Sequence, residues 1–237
     1  MKISYYADYQ QMSKQAKDLI LNVLQLKRDS LFCAATGNSP RLSYQLLADV
    51  YHQQPALLEQ LRILKLDEWG GVPMEDPQTC EVFLQEYLLK PLHINAARYF
   101  AFHSDPADPQ EECNRIYTII QKQAPIDLCI LGLGKNGHIA FNEPSDILHP
   151  YCHVAQLSAE SMQHTMAQTM QTQPTYGLTL GMADILSAKK IILLVTGSNK
   201  KIVIEKLLQP NITTKLPASL LWLHPNVECL IDENSLI

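Results

Sequence analysis

The sequence predicts a doubly wound α/β fold, a mostly parallel sheet with helices on both faces, in a single domain spanning residues 1–237. Three observations lead to this prediction. Short apolar runs recur along the chain, several of them end in a loop of small residues, and helical patterns fill most of the intervals. No internal repeat or Gly/Ser-rich linker interrupts this alternation, and 46% hydrophobic residues suffice for one sizeable core.

The predicted elements follow one another in a regular order. Residues 10–28 carry apolar side chains at helical spacing, and Asp8 with Gln11 can form a capping box at their start. The predicted strands are 31–35, 63–66, 126–131 and 191–195, and the other predicted helices are 42–50, 79–90, 109–123, 158–170 and 198–208. Ligands of such sheets bind outside the carboxyl ends of the strands, so the residues that follow each strand are candidates for a site.

Charge and composition argue against several classes of protein. A net charge of −5 and a pI near 5.9 argue against nucleic-acid binding, which usually requires a basic patch. No run of about 18 apolar residues is present, and the N-terminal segment lacks the apolar core of a signal peptide. The 6 cysteines form no CxxC pair and are expected to be reduced thiols. We therefore expect a cytoplasmic protein without a membrane span.

Two loops of small residues, each following a predicted strand, are candidate phosphate sites. The first loop precedes Pro40, which suits the first turn of a helix, and consists of Thr36, Gly37, Asn38 and Ser39. The second loop, 196–200, ends in the positive charge of Lys200. Helix N-termini attract anions through unpaired N–H groups and the helix dipole. Either loop alone also fits an ordinary strand-to-helix turn, but two at one sheet edge favour a phosphate clamp.

A pair of carboxylates, Asp67 and Glu68, follows the apolar run 63–66. A carboxylate at the end of a strand can act as a general base in a partly desolvated cleft. A single Asp in this position more often only caps the next segment. Because successive side chains of a strand point to opposite faces, we expect one of the two to face a site, and we choose Asp67.

The glycine-rich segment 131–137, LGLGKNG, is the most distinctive part of the chain and matches the dinucleotide-binding pattern GxGxxG. That pattern needs a helix opening at its last glycine, and Pro144 follows too soon. The alternative is a tight backbone bend that projects His138 into the cleft, with Glu143 orienting it. Histidine passes protons in both directions near neutral pH. A lone histidine is usually a core residue, but the polar surroundings favour the catalytic interpretation.

Two other kinds of site have less support. His138, His149 and His153 have the spacing H-x10-H-x3-H, which is no known metal-binding pattern, so we expect no metal site. A Ser-His-Asp hydrolase is also disfavoured, because the chain contains no GxSxG motif.

Five segments together resemble the glucosamine-6-phosphate deaminase family, whose fold is shared by 6-phosphogluconolactonases. They lie between about residues 31 and 232 and read ATGNSPRLSY, LKLDEWGGVP, LGLGKNGHIAFNEP, YGLTLGMADIL and LLVTGSNKK. Within this family, LKLDEW, LGLGKNGH and PASLLWLH are most similar to the galactosamine-6-phosphate isomerase (deaminase) branch. That branch produces tagatose 6-phosphate and ammonia.

The resemblance implies roles for the candidate residues. Asp67 would move a proton from C2 to C1 of the sugar, His138 would assist ring opening, and Glu143 would hold His138 in position. The residues implied in phosphate binding are Thr36, Gly37, Asn38, Ser39 and Lys200. The resemblance implies neither a metal nor an organic cofactor.

The sequence departs from the family pattern at two places. Many members have an Asp where this chain has Asn136, which cannot take up a proton, so we place Asn136 among the substrate-binding residues. Some deaminases also carry a phosphate-binding arginine in the segment that corresponds to 158–172, which contains no arginine here. Arg41 and His164 are the candidates to replace it.

The expected function is the isomerisation and deamination of an amino-sugar 6-phosphate, with galactosamine 6-phosphate preferred over glucosamine 6-phosphate. The first alternative is a 6-phosphogluconolactonase, whose motif usually continues into SLFP where this chain has FNEP at 141–144. The second alternative is a non-catalytic sugar-phosphate sensor. The expected partners are the small-molecule substrate and, in a homo-oligomer, other copies of the chain. Nucleic acid and membrane are not expected partners.

Overall fold

Strands alternate with helices along most of the chain, and the computed structural model describes residues 1–236; Ile237, the last residue of the predicted domain, lies outside the described residues. The strands are β1 (Lys2–Tyr6), β2 (Leu31–Ala34), β3 (Arg62–Lys65), β4 (Asp67–Gly70), β5 (Tyr99–Phe100), β6 (Leu128–Gly132), β7 (His153–Ala155), β8 (Tyr176–Thr179), β9 (Ile191–Val195) and β10 (Val227–Asp232). The α-helices are α1 (Tyr9–Leu26), α2 (Asn38–Gln53), α3 (Cys80–Leu84), α4 (Pro109–Gln123), α5 (Ala159–Met162), α6 (Thr165–Thr169), α7 (Met182–Leu186) and α8 (Lys201–Leu208).

Within residues 1–236, a 7-stranded parallel sheet has the order β1-β10-β9-β6-β2-β3-β5. Every residue of β2 and of β9 is buried. Because alternate side chains of a strand point to opposite faces, complete burial means that both faces of the sheet are covered. The predicted doubly wound α/β fold is therefore confirmed.

The direction of the chain across the sheet reverses between the neighbouring strands β2 and β6. From β2 the chain moves outward to β3 and β5, and from β6 it moves to β9 and β10 on the other side. The loops that leave the carboxyl ends of β2 and β6 therefore diverge and open a crevice between them. Both loops, residues 36–39 and 133–138, contain predicted site residues.

A small antiparallel sheet of order β4-β8-β7 was not predicted. β3 ends at Lys65, and Asp67 begins β4, where it pairs with Thr179 of β8. Trp69 packs against Phe141 at a ring-centroid distance of 4.6 Å, in a small core that adjoins this sheet. The carboxylate chosen as the base thus lies on a hydrogen-bonded strand.

The helices differ from the prediction mainly at two places. The helix expected over 158–170 is divided into α5 and α6, and the side chain of His164 accepts a hydrogen bond at the start of α6. The helix expected over 79–90 begins as α3 and continues as a π-helical turn over 85–89. At the start of α1, Asp8 accepts a hydrogen bond from the backbone N–H of Gln11, which is one half of the predicted capping box. The side-chain amide of Gln11 donates to Asp8 at 3.4 Å and does not complete the box.

Among the described residues, no helix combines the length and the apolar character that crossing a bilayer would require.

Candidate active site

A cleft of about 550 Å³ opens at the carboxyl ends of the central strands. The loops after β2, β6 and β9, the strand β4 and residues 160–166 all contribute to its walls. The predicted site residues that line it are Thr36, Gly37, Asn38, Ser39, Asp67, His138 and Lys200. Asn136 and Glu143 are not among the lining residues. The structure therefore brings together residues that are far apart in the sequence.

We call the first candidate phosphate loop, residues 36–39, the first anion loop, and the loop 196–200 the second anion loop. The first anion loop turns at Gly37, whose φ of 91° lies in the left-handed region that glycine adopts readily. Gly37 is the N-cap of α2, so the first N–H groups of this helix have no partner within the helix. Tyr9 holds the loop in place. Its hydroxyl donates to the carbonyl oxygen of Asn38 at 2.6 Å and accepts from the N–H of Leu42 at 3.0 Å. The helix N-terminus is thus fixed at the cleft wall.

The second anion loop presents Lys200 to the same cleft. Gly197 and Asn199 have φ values of 94° and 62°, which place Lys200 directly before α8. The ammonium group of Lys200 donates to the carbonyl oxygen of Leu133 at 2.5 Å. Burial, with a smaller contribution from Lys135, lowers the pKa of Lys200 to about 8. Lys200 therefore carries a positive charge at neutral pH.

Asp67 and Glu68 point in opposite directions, as the strand geometry predicts. Asp67 lines the cleft, whereas Glu68 is fully buried and does not line it. Burial and the negative charge of Glu68 raise the pKa of Asp67 to about 7, although His138 and Lys65 act in the opposite direction. A carboxylate with a pKa near neutrality can both accept and return a proton.

His138 and Glu143 form a pair, with 3.2 Å between Nδ1 of His138 and Oε2 of Glu143. The hydroxyl of Ser161 donates to Oε1 of Glu143, and the amide of Asn136 donates to Oε2 at 2.9 Å. Burial raises the pKa of Glu143, but the hydrogen bonds from His138, Ser161 and Asn136 outweigh it and lower this pKa to about 2. Glu143 is therefore ionised and orients the imidazole through Nδ1, which leaves Nε2 for a substrate.

Asn136 occupies a different position from the one expected of a substrate ligand. It does not line the cleft, its amide donates to Glu143, and its side-chain oxygen accepts from the backbone N–H of His138 at 3.0 Å. Asn136 thus contacts both members of the pair and fixes the geometry between them.

The glycine-rich segment bends the chain towards the cleft and opens no helix. In the described part of the chain, β6 is followed by β7 with no helix between them. Gly137 has a φ of 90°, and a Cβ at Gly134 would lie 2.5 Å from the ring of His138. The glycines therefore allow the turn and the close approach of His138. The dinucleotide-binding interpretation, which requires a helix here, is wrong.

Ser161 and Cys80 also line the cleft, but the sequence did not identify either of them as a site residue. Ser161 lies on α5 and contacts Glu143, while Cys80 begins α3 and lies with its sulfur 3.8 Å from Oδ1 of Asp67. Both belong to segments predicted only as helices, and neither has a motif of its own. Their roles follow from contacts that the tertiary fold creates.

Arg41 and His164, the candidates to replace the phosphate-binding arginine of some deaminases, line adjoining pockets. His164 lines the main cleft, and burial lowers its pKa. Arg41 lines a smaller pocket of about 180 Å³ that shares Gly37, Asn38 and His164, among other residues, with the cleft. The guanidinium of Arg41 stacks over the ring of Tyr87 at 5.1 Å.

The three histidines whose spacing was compared with metal-binding patterns contact other side chains in this structure. His149 and His153 stack on each other at a centroid distance of 4.6 Å, whereas His138 contacts Glu143. Over residues 1–236, no three His, Cys, Asp or Glu side chains are grouped as a metal ion requires.

Residues 7–231 match the family described as glucosamine-6-phosphate isomerases/6-phosphogluconolactonase. The chain belongs to this family. AgaI of Escherichia coli (strain K12), provisionally assigned as a deaminase, is 41% identical to this family member over 225 residues, which cover 95% of this chain and 89% of AgaI. The glucosamine-6-phosphate deaminase of Halothermothrix orenii is 35% identical over 237 residues, covering 99% of this chain and 98% of the relative.

Solved structures agree with this membership. A monomeric glucosamine-6-phosphate deaminase superposes on this family member with a TM-score of 0.93 at 30% identity, covering 99% of this chain and 98% of that one. The 6-phosphogluconolactonase of Leishmania guyanensis has a TM-score of 0.78 at 19% identity, covering 99% and 97%, and shares the fold. The predicted family, the fold class and the enzyme class, that of amino-sugar-phosphate isomerases and deaminases, are confirmed.

Proposed function

We propose that this protein converts galactosamine 6-phosphate into tagatose 6-phosphate and ammonia, in the cytoplasm and without a cofactor. The observation that carries the proposal is the presence, in one cleft, of Asp67 with a pKa near 7 and His138 paired with Glu143. The same cleft contains two loops suited to a phosphate group. This arrangement supplies an anchor for the substrate and two groups that move protons.

The first proposed step opens the sugar ring. The N–H groups of Gly37, Asn38 and Ser39 and the ammonium of Lys200 hold the phosphate. Nε2 of His138 delivers a proton to the ring oxygen, the C1–O5 bond breaks, and the hydroxyl on C1 loses its proton to water. The open-chain aldehyde results. Asn136 takes no part in binding and holds Glu143 against His138.

The second proposed step moves a proton between carbons. Asp67 removes the C2 proton as the aldehyde oxygen takes up a proton from water, which gives an enolamine. Asp67 then returns its proton to C1, and C2 becomes an iminium carbon. Water adds to C2 and ammonia leaves, so the product is the 2-keto sugar phosphate. A base that must also act as an acid works best with a pKa near the working pH.

The lactonase alternative has less support. A lactonase needs an activated water but no base that passes a proton between two carbons. The Halothermothrix orenii relative at 35% identity and the monomeric structure at 30% identity are named deaminases, whereas the lactonase structure at 19% identity bears on the fold alone. The preference for the galactosamine epimer rests on the segments LKLDEW, LGLGKNGH and PASLLWLH.

The decisive experiment compares ammonia release from galactosamine 6-phosphate and glucosamine 6-phosphate under identical conditions. We expect a higher kcat/KM for the galactosamine epimer. A higher value for the glucosamine epimer would move the assignment to that sugar. Hydrolysis of 6-phosphogluconolactone without ammonia release would establish the lactonase instead, and binding without turnover of either sugar would indicate a sensor.

Lys200→Met is expected to raise KM by about tenfold to a hundredfold and to leave kcat nearly unchanged. A charge-assisted hydrogen bond contributes about 1.5–3 kcal/mol, and a phosphate remote from the reacting carbons is bound equally in ground and transition states. Steady-state kinetics of ammonia release measure both constants. In the wild type, KM should also rise above about pH 8, because Lys200 loses its proton there.

Lys201→Met is the matched control, since Lys201 is exposed and does not line the cleft. We expect its KM to stay within about twofold of the wild-type value, as surface charges interact weakly with distant groups. Equal KM values for the two variants would show that the phosphate binds elsewhere.

A further inference from the structure

A group of buried charges lies next to the cleft and takes no part in the steps above. Lys65 and Glu68 are both fully buried, with 2.7 Å between Nζ of Lys65 and Oε2 of Glu68. Lys65 also contacts Oε2 of Glu81 at 3.0 Å, and the hydroxyl of Tyr99 donates to the same oxygen at 2.7 Å. Such a pair contributes little net stability, because apolar replacements are often neutral or stabilising. Its presence beside the site therefore calls for a functional explanation.

Glu68 accepts hydrogen bonds from several elements at once. Its Oε1 accepts from the backbone N–H groups of Trp69 and Cys80, both at 2.9 Å. Its Oε2 accepts from the N–H of Glu81 at 2.9 Å and from Lys65. The carboxylate thus connects the end of β3, the strand β4 and the first turn of α3. It also satisfies N–H groups that the start of a helix leaves without partners.

These bonds fix the surroundings of Asp67 on the other face of β4. Cys80, held through its backbone by Glu68, places its sulfur 3.8 Å from Oδ1 of Asp67. The hydroxyl of Thr36 donates to the same sulfur at 3.1 Å, which ties the first anion loop to this group. A displacement of Glu68 would therefore move both the candidate base and the residue that contacts it.

We propose that Glu68 is a positioning residue that holds Asp67, through β4 and Cys80, at the place where it meets C2 of the substrate. The inference rests on the proposed function of Asp67 as the base. Positional errors of about 1 Å at a reacting group can cost about a hundredfold in rate. Glu68 has no access to the cleft and acts only through its neighbours.

Glu68 has a second effect, on the proton affinity of the base. The charge of Asp67 acts on the buried Cys33 and Tyr44, and the titratable groups that act on Asp67 are Glu68, His138, Lys65 and Cys80. Burial raises the pKa of Asp67 most, and the negative charge of Glu68 raises it next. His138, Lys65 and Cys80 lower this pKa. Removing this charge lowers the pKa of Asp67 and shifts the acid limb of kcat/KM to lower pH.

The test compares Glu68→Gln with Glu68→Asp, which keeps the charge on a shorter side chain. We expect both variants to lower kcat by about tenfold to a hundredfold with little change in KM. The acid limb of the pH profile should move to lower pH in Glu68→Gln and stay in place in Glu68→Asp. Ammonia release across pH 5–9, a range of about two units on either side of the expected pKa, measures all three quantities.

The matched control is Glu112→Gln, which removes another buried carboxylate bonded to a backbone N–H and to a cation. Glu112 accepts from the N–H of His103 and from Arg115, and it does not line the cleft. We expect its kcat and pH profile to match the wild type. If Glu68→Gln fails to fold, as judged by circular dichroism, the double substitution Lys65→Met with Glu68→Gln removes both charges and takes its place.

The last measurement, the alkylation rate of Cys80, does not depend on enzymatic turnover. Burial and then the charge of Glu68 raise the pKa of the Cys80 thiol, so Glu68→Gln should speed alkylation of Cys80 by iodoacetamide. Peptide mapping measures this rate. If the kinetic constants, the pH profile and the Cys80 alkylation rate of Glu68→Gln all match those of Glu112→Gln, the inference is overturned. Full activity of Asp67→Asn would instead overturn the proposed function, so the two failures are distinguishable.

Discussion

Asp67→Asn is expected to lower kcat by about 10²–10⁴ while KM changes little. The amide has nearly the same shape as the carboxylate but cannot take the C2 proton. The aldehyde therefore forms, but it proceeds to the enolamine only slowly. Ammonia release measures the loss of rate, and proton exchange at C2 in deuterated water, followed by NMR, shows whether the variant still removes this proton. We expect this exchange to slow by about the same factor as ammonia release.

Asp184→Asn is the matched control for this variant. Asp184 is also a buried aspartate whose pKa burial raises, to about 6, and it accepts from the N–H of Gly181 outside the cleft. Asparagine keeps a side-chain oxygen that can accept from the N–H of Gly181, so we expect kcat within about twofold of the wild type. Deuterium exchange at C2 at the wild-type rate in Asp67→Asn would assign the base to another residue.

The same aspartate determines the acid side of the pH profile. Because the pKa of Asp67 is raised to about 7, the protonated carboxyl prevails below this pH and cannot accept the C2 proton. We expect kcat/KM to fall as the pH drops below about 7. On the basic side, loss of the Lys200 charge above about 8 weakens phosphate binding. The expected profile is therefore bell-shaped and narrow.

The central strands were predictable because their residues are buried on both faces. A strand between two layers of helices needs apolar side chains at every position, so β2 and β9 appear in the sequence as uninterrupted apolar runs. β1 lies at the edge of the sheet, exposes Lys2 and Tyr5, and has no such run. The short strands β5 and β7 contain too few residues for any pattern. The strand β10, next to β1, is largely buried, but Glu228 interrupts its apolar run and Asp232 ends it. The sequence therefore predicted β2, β3, β6 and β9 and missed β1, β5 and β10.

The site was predictable where it depends on topology. Parallel strands end at one edge of the sheet, so the loops at 36–39 and 196–200 had to lie near each other. Strand alternation predicted that only one of Asp67 and Glu68 faces the site, but it did not determine which of them. The contacts of Ser161 with Glu143, and of Cys80 with Asp67, depend on how α5 and α3 pack. The spacing of apolar residues predicts that a residue lies on a helix, but it does not predict which loop that helix packs against.

His138→Gln is expected to lower kcat by about 10²–10⁴, because the ring oxygen loses its proton donor. Ring opening then becomes the slowest step. With substrate deuterated at C2, the isotope effect on kcat should fall towards unity in His138→Gln. In Asp67→Asn, C–H cleavage stays the slow step, so the isotope effect should persist. Rates of ammonia release from normal and deuterated substrate therefore distinguish the step that each residue serves.

His153→Gln is the control for a general effect of losing a histidine. Burial lowers the pKa of His153, its Nδ1 lies 2.9 Å from the carbonyl oxygen of Tyr151, and it does not line the cleft. We expect its kcat within about twofold of the wild type. Glu143→Gln should act on the same step as His138→Gln with a smaller loss, because the imidazole stays in place but loses the ionised partner that orients it. An undiminished isotope effect in His138→Gln would mean that another group opens the ring, and the pairing with Glu143 would then need a different role.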